Sequence, residues 1–242
     1  MMEKKTVQVF GDSIMKGVQL EESTGKYVLC RQPPCSGLEN DFQLQIRNHS
    51  IFGCTVEKGS ALLDRALAKR ERFDFAILEY GGNDCDFDWN KVAQAPWETH
   101  LPHTPPERFE AVYRSMITRL QKCEVIPVLF TLPPIDAEKY LDWICRAGLS
   151  RERILSWLGD LQMIYRFQEL YSHTVMRIAA QTGCWMVDLR AAFLSRHDYH
   201  SLICSDGIHP NARGYHVIAE VLNDFAVMRL AGISSVAGLA CG

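Results

Sequence analysis

The sequence predicts an α/β protein: a three-layer α/β/α sandwich in which a parallel sheet lies between two layers of helices. Two features of the chain lead to this prediction. Short apolar runs alternate with amphipathic stretches along the chain, and no internal repeat interrupts them. Most neighbouring runs are far enough apart for a crossover helix, and strands that are joined through helices pair in parallel.

Five segments are predicted to form the strands of this sheet. They are residues 5–10, about 43–47, 73–80, 125–131 and 184–189. Pro127 conflicts with a central place for the fourth segment, because proline has no N–H to donate and fits best at an edge or a bulge.

Apolar residues at helical spacing predict the helices. The clearest helix follows Thr104 and Glu107, which have the spacing of a capping box, with proline in the first turn. Its apolar stripe consists of Phe109, Val112, Tyr113, Met116, Ile117 and Leu120. Two shorter stripes predict a helix after the second strand and a last helix: Leu62, Leu63, Ala66 and Leu67, then Ile218, Val221, Leu222 and Phe225.

Length and charge limit the class of protein. The chain has 242 residues, with 26 Lys and Arg against 29 Asp and Glu, and a net charge of −3. One domain spanning residues 1–242 is expected, and folding should bury roughly 70 to 75% of the surface of the unfolded chain, so neither a disulfide nor a structural metal is needed. The near-neutral charge argues against a partner nucleic acid.

The ends of the chain and its cysteines suggest a soluble cytoplasmic protein. The first apolar run is too short for a signal peptide, and the uncharged stretch from Leu230 to Gly242 falls short of the ~18 residues of a membrane span. The nine cysteines are an odd number and form no CxxC pair, which fits a reducing compartment.

Polar segments lie where the predicted strands end, which is where open parallel sheets bind ligands. The segments are Gly11-Asp12-Ser13-Ile14, residues 48–53, Gly81-Gly82-Asn83-Asp84 and residues 205–211. Each segment alone has the composition of an ordinary turn. Their joint occurrence in this order indicates an active site.

With these four segments, the chain resembles the SGNH (GDSL-type) hydrolases, a superfamily of esterases and lipases. The resemblance implies a flavodoxin-like sheet, no cofactor or metal, and a catalytic triad of Ser13, His209 and Asp206. It also implies an oxyanion hole formed by the backbone N–H groups of Ser13 and Gly53 and the side chain of Asn83. The sequence departs from the family pattern at Ile14, where leucine is commonest, and in a longer segment between the fourth and fifth strands.

The residue types suit these roles. A serine hydroxyl becomes a nucleophile when a histidine takes its proton, and Asp206, three residues before His209, can hold the other ring nitrogen. The amide of Asn83 is a neutral donor for a developing oxyanion, whereas an aspartate there would repel it.

The expected activity is hydrolysis of carboxylic esters with small or medium acyl groups through an acyl-enzyme. The α/β-hydrolase alternative requires a G-x-S-x-G motif, and nucleotide-dependent enzymes require phosphate-binding loops; the sequence contains neither. Acyl transfer to an alcohol, thioester hydrolysis and a catalytically silent ligand-binding module remain open alternatives.

Several other residues near these segments have plain interpretations. Asp12 is expected to satisfy backbone N–H groups of its own turn rather than to act in catalysis. Asp84, Asp86 and Asp88 could be read as a metal site, but they lack the pattern of a calcium loop, and a solvated acidic loop is favoured.

Nearby cysteines and histidines also invite two interpretations. Cys54, Cys85 and Cys204 could bind zinc or act in redox chemistry, but burial as small apolar residues is favoured. His100 and His103 could face the substrate, and simple exposure in a proline-rich loop is favoured.

The stretch from Asp136 to Gly159 is predicted to be a helical insertion that carries Trp143 and Trp157. Two interpretations stand side by side. The insertion could bury its aromatic residues against the domain or in a homodimer contact, or it could cap the active site, with both tryptophans contacting substrate.

Overall fold

A parallel sheet of five strands forms the centre of the protein. The computed structural model describes residues 4–69 and 72–236. The described residues form seven strands, of which five belong to this sheet. They are β1 (Lys5–Gly11), β2 (Val18–Glu21), β3 (Lys26–Leu29), β4 (Leu44–Asn48), β5 (Phe75–Glu79), β6 (Ile126–Phe130) and β7 (Trp185–Val187). The sheet order is β4-β1-β5-β6-β7, and all four pairings are parallel. This order is the flavodoxin-like one, so the predicted fold class is confirmed.

Helices cover both faces of the sheet. The helices are α1 (Ser13–Lys16), α2 (Leu38–Asp41), α3 (Val56–Ala68), α4 (Trp89–Gln94), α5 (Pro106–Lys122), α6 (Ala137–Cys145), α7 (Arg151–Leu158), α8 (Gln162–Thr182), α9 (Leu189–Leu194) and α10 (Ala212–Val236), with a 3₁₀ turn at Tyr199–Leu202. Helices α3, α5 and α8 pack on one face, and α2, α9 and α10 pack on the other.

Side chains of the strands alternate between these two cores. In β5, Ala76 and Leu78 belong to one core, and Phe75 and Ile77 belong to the other. Successive residues of a strand point to opposite faces, so an apolar run without polar breaks is what a sheet covered on both sides requires.

The apolar stripe predicted for α5 is confirmed, but the prediction of a capping box at the start of this helix is wrong. All six stripe residues are buried. The helix is capped by Pro105 and has no side-chain cap bond, because Thr104 lies before the cap, is buried, and directs its hydroxyl to Asp84 instead.

Pro127 lies inside β6 without breaking the sheet. It pairs with Ala76 of β5 on one side. On the other side, pairing with β7 begins only at Val128. The missing N–H therefore costs no ladder bond to β7, which explains how proline fits in an inner strand.

A hairpin was not predicted from the sequence. Strands β2 and β3 pair antiparallel, with Val18 opposite Leu29, and form a small second sheet. The hairpin begins directly after α1 and therefore lies next to the carboxyl end of β1.

The segment from Asp136 to Gly159 forms α6 and α7, which pack on the protein itself. A third apolar cluster joins both helices to α4: its buried members include Tyr140, Ile144, Ile154 and Leu158 together with Trp89. Most of this segment is therefore helical.

Within residues 4–69 and 72–236, no helix is both long enough and apolar enough to cross a membrane. Helix α10 contains the beginning of the uncharged stretch at Leu230, and residues 237–242 of that stretch lie outside the described part.

Candidate active site

Ser13 opens the short helix α1 at the carboxyl end of β1. Gly11 makes this sharp turn feasible, because a Cβ there would lie 2.8 Å from the Cβ of Met15. Asp12 caps the helix, and its Oδ1 accepts the backbone N–H of Ile14 at 2.8 Å. The expected local role of Asp12 is confirmed, although its second oxygen has another partner.

Ser13, His209 and Asp206 form one row of hydrogen bonds. His209 Nε2 lies 2.9 Å from Ser13 Oγ, and His209 Nδ1 lies 2.6 Å from Asp206 Oδ2. All three side chains are buried. The fold therefore brings together residues that are 196 positions apart in the chain.

The loop that carries Asp206 and His209 is closed on itself and held by α6. A β-bridge joins Ile203 to Pro210, and the backbone N–H of Asp136 donates to Gly207 O at 2.8 Å. Gly207 lies so close to α6 that a Cβ there would be 2.3 Å from Tyr140 N. The segment Asp136–Gly159 thus contributes to the site by fixing this loop.

The carboxylate of Asp206 is stabilised in its ionised form. Burial acts to raise the pKa of Asp206, but it is outweighed by the bond to His209, the charge of His209 and two backbone N–H groups. These N–H groups belong to Ile208 and His209, and each donates to Oδ1 at 3.0 Å. The net effect is a pKa below the usual value, so the group remains a hydrogen-bond acceptor.

Gly53 and Asn83 lie on the loops that follow β4 and β5, and Asn83 lines the same cavity as Ser13. The Gly53 loop is tied to β1, because Ile51 N donates to Gly11 O at 3.2 Å. Gly53 has a φ of +69°, a conformation that favours glycine. The Asn83 amide donates to Asp12 Oδ2 at 2.8 Å and to Cys54 O at 3.4 Å.

Three aromatic residues, which we call the aromatic arch, lie at His209: Tyr27 and Phe52 contact its ring, and Trp143 contacts Tyr27. The ring of Tyr27 in the β2–β3 hairpin lies 5.0 Å from the His209 ring, and Phe52 stacks on it at 5.8 Å. Trp143 of α6 lies 6.1 Å from Tyr27. Burial, and then the charge of Asp206, raises the pKa of Tyr27, so its hydroxyl stays neutral.

A small inner cavity of about 150 Å³ opens at Ser13 and His209. Polar residues lie near Ser13, and much of the remaining wall is formed by apolar side chains. These include Phe87, Trp89, Leu132, Pro133, Ile135, Ile164, Phe167 and Ile208. A larger outer cleft of about 1040 Å³ adjoins it, and the two share Phe87, Trp89, Tyr140 and Ile208.

The two predicted substrate contacts occupy different places. Trp143 lines the outer cleft. Trp157 is not among the residues that line either space; its ring lies 5.0 Å from Phe87 and 6.2 Å from Trp89, behind the wall that these rings form. Any effect of Trp157 on substrate would therefore pass through its neighbours.

The three aspartates after Asn83 do not form a solvated loop, so that expectation is wrong. Asp84 is buried, and both its oxygens accept the N–H of Val56. Asp86 accepts bonds from Trp89 and Tyr140, and only Asp88 is exposed, as the cap of α4. Among the described residues, no group of three or more His, Cys, Asp or Glu could hold a metal ion.

The neighbouring cysteines and histidines lie in different surroundings. Cys54, Cys85 and Cys204 are buried, as expected. His103 is exposed and His100 is partly buried, and both line the outer cleft.

Tyr27, Phe52 and Glu79 are site residues that sequence reasoning missed. The alternation in Val18-Gln19-Leu20 and the turn before Gly25 were the available signals for the hairpin that carries Tyr27. Glu79 was the one charge at the end of an otherwise apolar strand, which is a costly position unless it has a function.

The chain is similar to known proteins in sequence and in fold. The chain is 22% identical over 177 residues to a GDSL esterase/lipase of Arabidopsis thaliana; the match covers 71% of this chain, which spans 62% of the length of that relative. Among solved structures, the lipase/acylhydrolase from Enterococcus faecalis has a TM-score of 0.64 at 18% identity, covering 93% of this chain and 96% of that chain. An acetyl xylan esterase from Geobacillus stearothermophilus has a TM-score of 0.64 at 19% identity, covering 91% and 94%. At these identities the structural likeness shows a shared fold.

The family profile covers most of the chain. It matches residues 9–217, a range that contains all four polar segments at the strand ends. The chain belongs to the GDSL-like lipase/acylhydrolase family.

Proposed function

We propose that this protein hydrolyses carboxylic esters through an acyl-enzyme, with Ser13 as nucleophile, His209 as general base and Asp206 as its orienting carboxylate. The observation that carries the proposal is the buried row of hydrogen bonds from Ser13 to Asp206. Membership in the GDSL-like lipase/acylhydrolase family supports the same chemistry.

The reaction proceeds in two halves. Ser13 Oγ bonds to the ester carbonyl carbon while its proton passes to His209 Nε2. The bond to the alcohol then breaks, and the alcohol leaves with that proton. A water molecule next adds to the acyl-enzyme in the same way, and the acid departs as Ser13 regains its proton.

Three donors are proposed for the oxyanion of each tetrahedral intermediate. The Asn83 amide has two hydrogens: the bond to Asp12 uses one, and the other makes only the long 3.4 Å bond to Cys54 O, which it would exchange for the oxyanion. The backbone N–H of Ser13 belongs to the first turn of α1, where N–H groups have no partner within the helix. Gly53 supplies the third donor, and open space lies where a Cβ would stand.

The inner cavity fits a small or medium acyl group. At about 150 Å³ it matches the size of an apolar protein cavity that binds the six carbons of benzene. Its mainly apolar wall is suited to an alkyl chain.

The outer cleft is proposed to hold the alcohol part of the ester. His209 gives its proton to the leaving oxygen, so the alcohol must lie near the aromatic arch, which borders the cleft at Trp143. An acetylated sugar is one candidate, since a structural relative is an acetyl xylan esterase. The size of the cleft also supports a second reaction, acyl transfer to an alcohol in place of water.

We further propose a cytoplasmic protein. The eight cysteines in the described ranges are free thiols, which supports a reducing compartment. A single domain and a homodimer remain predictions.

The decisive experiment combines active-site labelling with an ester panel. A fluorophosphonate probe should label the native protein, and Ser13→Ala should abolish both labelling and hydrolysis. The panel compares acetyl sugars, acyl-CoA and lysophospholipids, with and without an added alcohol, and the product ratio separates hydrolysis from transfer. A Ser13→Ala variant with native activity would exclude this mechanism.

A further inference from the structure

Glu79 is a buried carboxyl group that the proposed reaction does not use. It ends β5 beside the end of β1, where it is opposite Gly11 in the parallel register. The side chains of Glu79 and its neighbour Asp12 are both buried. Among the described residues, no lysine, arginine or histidine forms an ion pair with either group.

The two carboxyl groups differ in the hydrogen bonds that they accept. Asp12 accepts one bond on each oxygen, from Ile14 N and from the Asn83 amide, both at 2.8 Å. Glu79 Oε2 accepts a long bond of 3.4 Å from Asp12 N, and Glu79 Oε1 is buried without a partner among the described residues. Accepted bonds stabilise an ionised carboxylate, and burial without them stabilises the acid.

Two adjacent ionised carboxylates without a cation are strongly disfavoured, because both lose hydration and each repels the other. Burial, and next the charge of Asp12, raises the pKa of Glu79 well above its usual value. Burial also raises the pKa of Asp12, but bonds from Ile14, Glu79 and Asn83 oppose this effect. A single proton on Glu79 therefore removes the repulsion between the two carboxyl groups and allows Asp12 to stay ionised.

We infer that Glu79 keeps its proton at neutral pH and donates it in a hydrogen bond to Asp12, which in turn orients the Asn83 amide. The inference rests on the proposed function, in which Asn83 is an oxyanion donor. Glu79 is thus a positioning residue. Its proton also limits the pair to one negative charge, and a second charge beside the oxyanion would oppose its formation.

Other titratable groups face this pair from the surrounding elements. They are Asp84, Cys54, Tyr80, Tyr113, Tyr215 and His209. Burial raises the pKa of the three tyrosines, and it raises that of Cys54 to about 11, so these four stay neutral over most of the working range. Burial raises the pKa of Asp84 to about 6, so its charge above that pH further opposes the ionisation of Glu79.

Variants of Glu79 test the inference through kcat. Glutamine keeps a neutral donor toward Asp12, so Glu79→Gln should hold kcat within about 3-fold of native at neutral pH. Leucine removes the donor, so Glu79→Leu should lower kcat roughly 10- to 100-fold with little change in KM, the scale of a 1 Å misplacement. Tyr113→Phe is the control, since it removes a buried bond to Leu78, the residue before Glu79.

The pH profile distinguishes positioning from a merely structural role. Ionisation of Glu79 should lower kcat of the native enzyme at alkaline pH, and Glu79→Gln should lack this decline. Equal losses in the glutamine and leucine variants, or an alkaline decline that glutamine leaves unchanged, would overturn the inference.

Infrared spectroscopy detects protonation of the Glu79 carboxyl group without relying on catalysis. At pH 8 the carbonyl stretch of a protonated carboxyl group should be present in Ser13→Ala and absent from Ser13→Ala/Glu79→Gln. Spectra that are identical in this region show an ionised Glu79 and refute the inference. A band that glutamine removes, in a Ser13→Ala protein that still hydrolyses esters, supports the proton on Glu79 while it excludes Ser13 as nucleophile.

Discussion

The length of the acyl group is the property that the inner cavity should control. Each buried methylene contributes up to ~0.8 kcal/mol, and 1.36 kcal/mol is tenfold in rate, so one methylene raises kcat/KM about 4-fold. Butyrate has two methylenes more than acetate, which gives a rise of roughly 15-fold. The cavity of about 150 Å³ is filled by about six carbons, so the rise should end near hexanoate.

Phe167→Ala tests this reasoning because Phe167 forms part of the cavity wall. Removing its ring should move the preferred ester toward octanoate or decanoate and leave acetate hydrolysis within a few-fold. Phe225→Ala is the matched control: Phe225 is also partly buried, but it packs against Trp185 on the other face of the sheet. The assay is kcat/KM for p-nitrophenyl esters from acetate to decanoate, with thermal unfolding measured in parallel. A native preference for acetate, or a Phe167→Ala profile equal to that of native, would refute the acyl-pocket assignment.

Four further predictions follow from the site. Ser13→Ala and His209→Ala should each lower kcat/KM by roughly 10³-fold or more, and the double variant should be little worse, whereas additive losses would show that the two residues act independently. Asn83→Ala should cost about 10² to 10³ in kcat at nearly constant KM, as for the loss of one oxyanion donor; an unchanged kcat would remove Asn83 from the site. Burial raises the pKa of Asp84 from 3.8 to about 6, so the folded state binds this proton more tightly than the unfolded state, and the stabilisation is lost as pH rises from about 4 to 6. This raised pKa is worth up to about 3 kcal/mol in the free energy of unfolding, and urea unfolding should show that Asp84→Asn lacks this loss between pH 4 and pH 7. Incubation with EDTA should leave ester hydrolysis unchanged, and activity that is lost and then restored by a divalent ion would contradict a metal-independent mechanism.

Much of the sheet was predictable because its strands are covered on both faces. Burial on both sides demands apolar residues throughout, and residues 75–78 and 125–130 show such runs on either side of a clear amphipathic helix. The hairpin is harder to find, because its strands have four residues each and one of them is mostly exposed. Short exposed strands have little burial to select their residues, so periodicity is weak.

The site was predictable to the extent that its residues share a motif. The four polar segments carried the resemblance to the SGNH hydrolases, and that resemblance implied Ser13, Asn83 and His209, although the three residues lie far apart in the sequence. The aromatic arch and Glu79 act through contacts between separate elements, and no local pattern records which elements meet. Trp157 shows that sequence position alone can also suggest a contact that the fold does not make. Its place in the insertion suggested substrate contact, but the rings of Phe87 and Trp89 lie between it and the cavity.

The separation of Ser13 from His209 has a consequence during biosynthesis. A ribosome adds about 5–20 residues per second, so roughly 10 to 40 s pass between the synthesis of the serine and that of the histidine. In the proposed mechanism, the nascent chain contains during this interval a serine without its general base. Under that proposal, ester hydrolysis can begin only after the loop that carries Asp206 and His209 has reached the end of β1, and incomplete chains released before that point are expected to be inert toward esters.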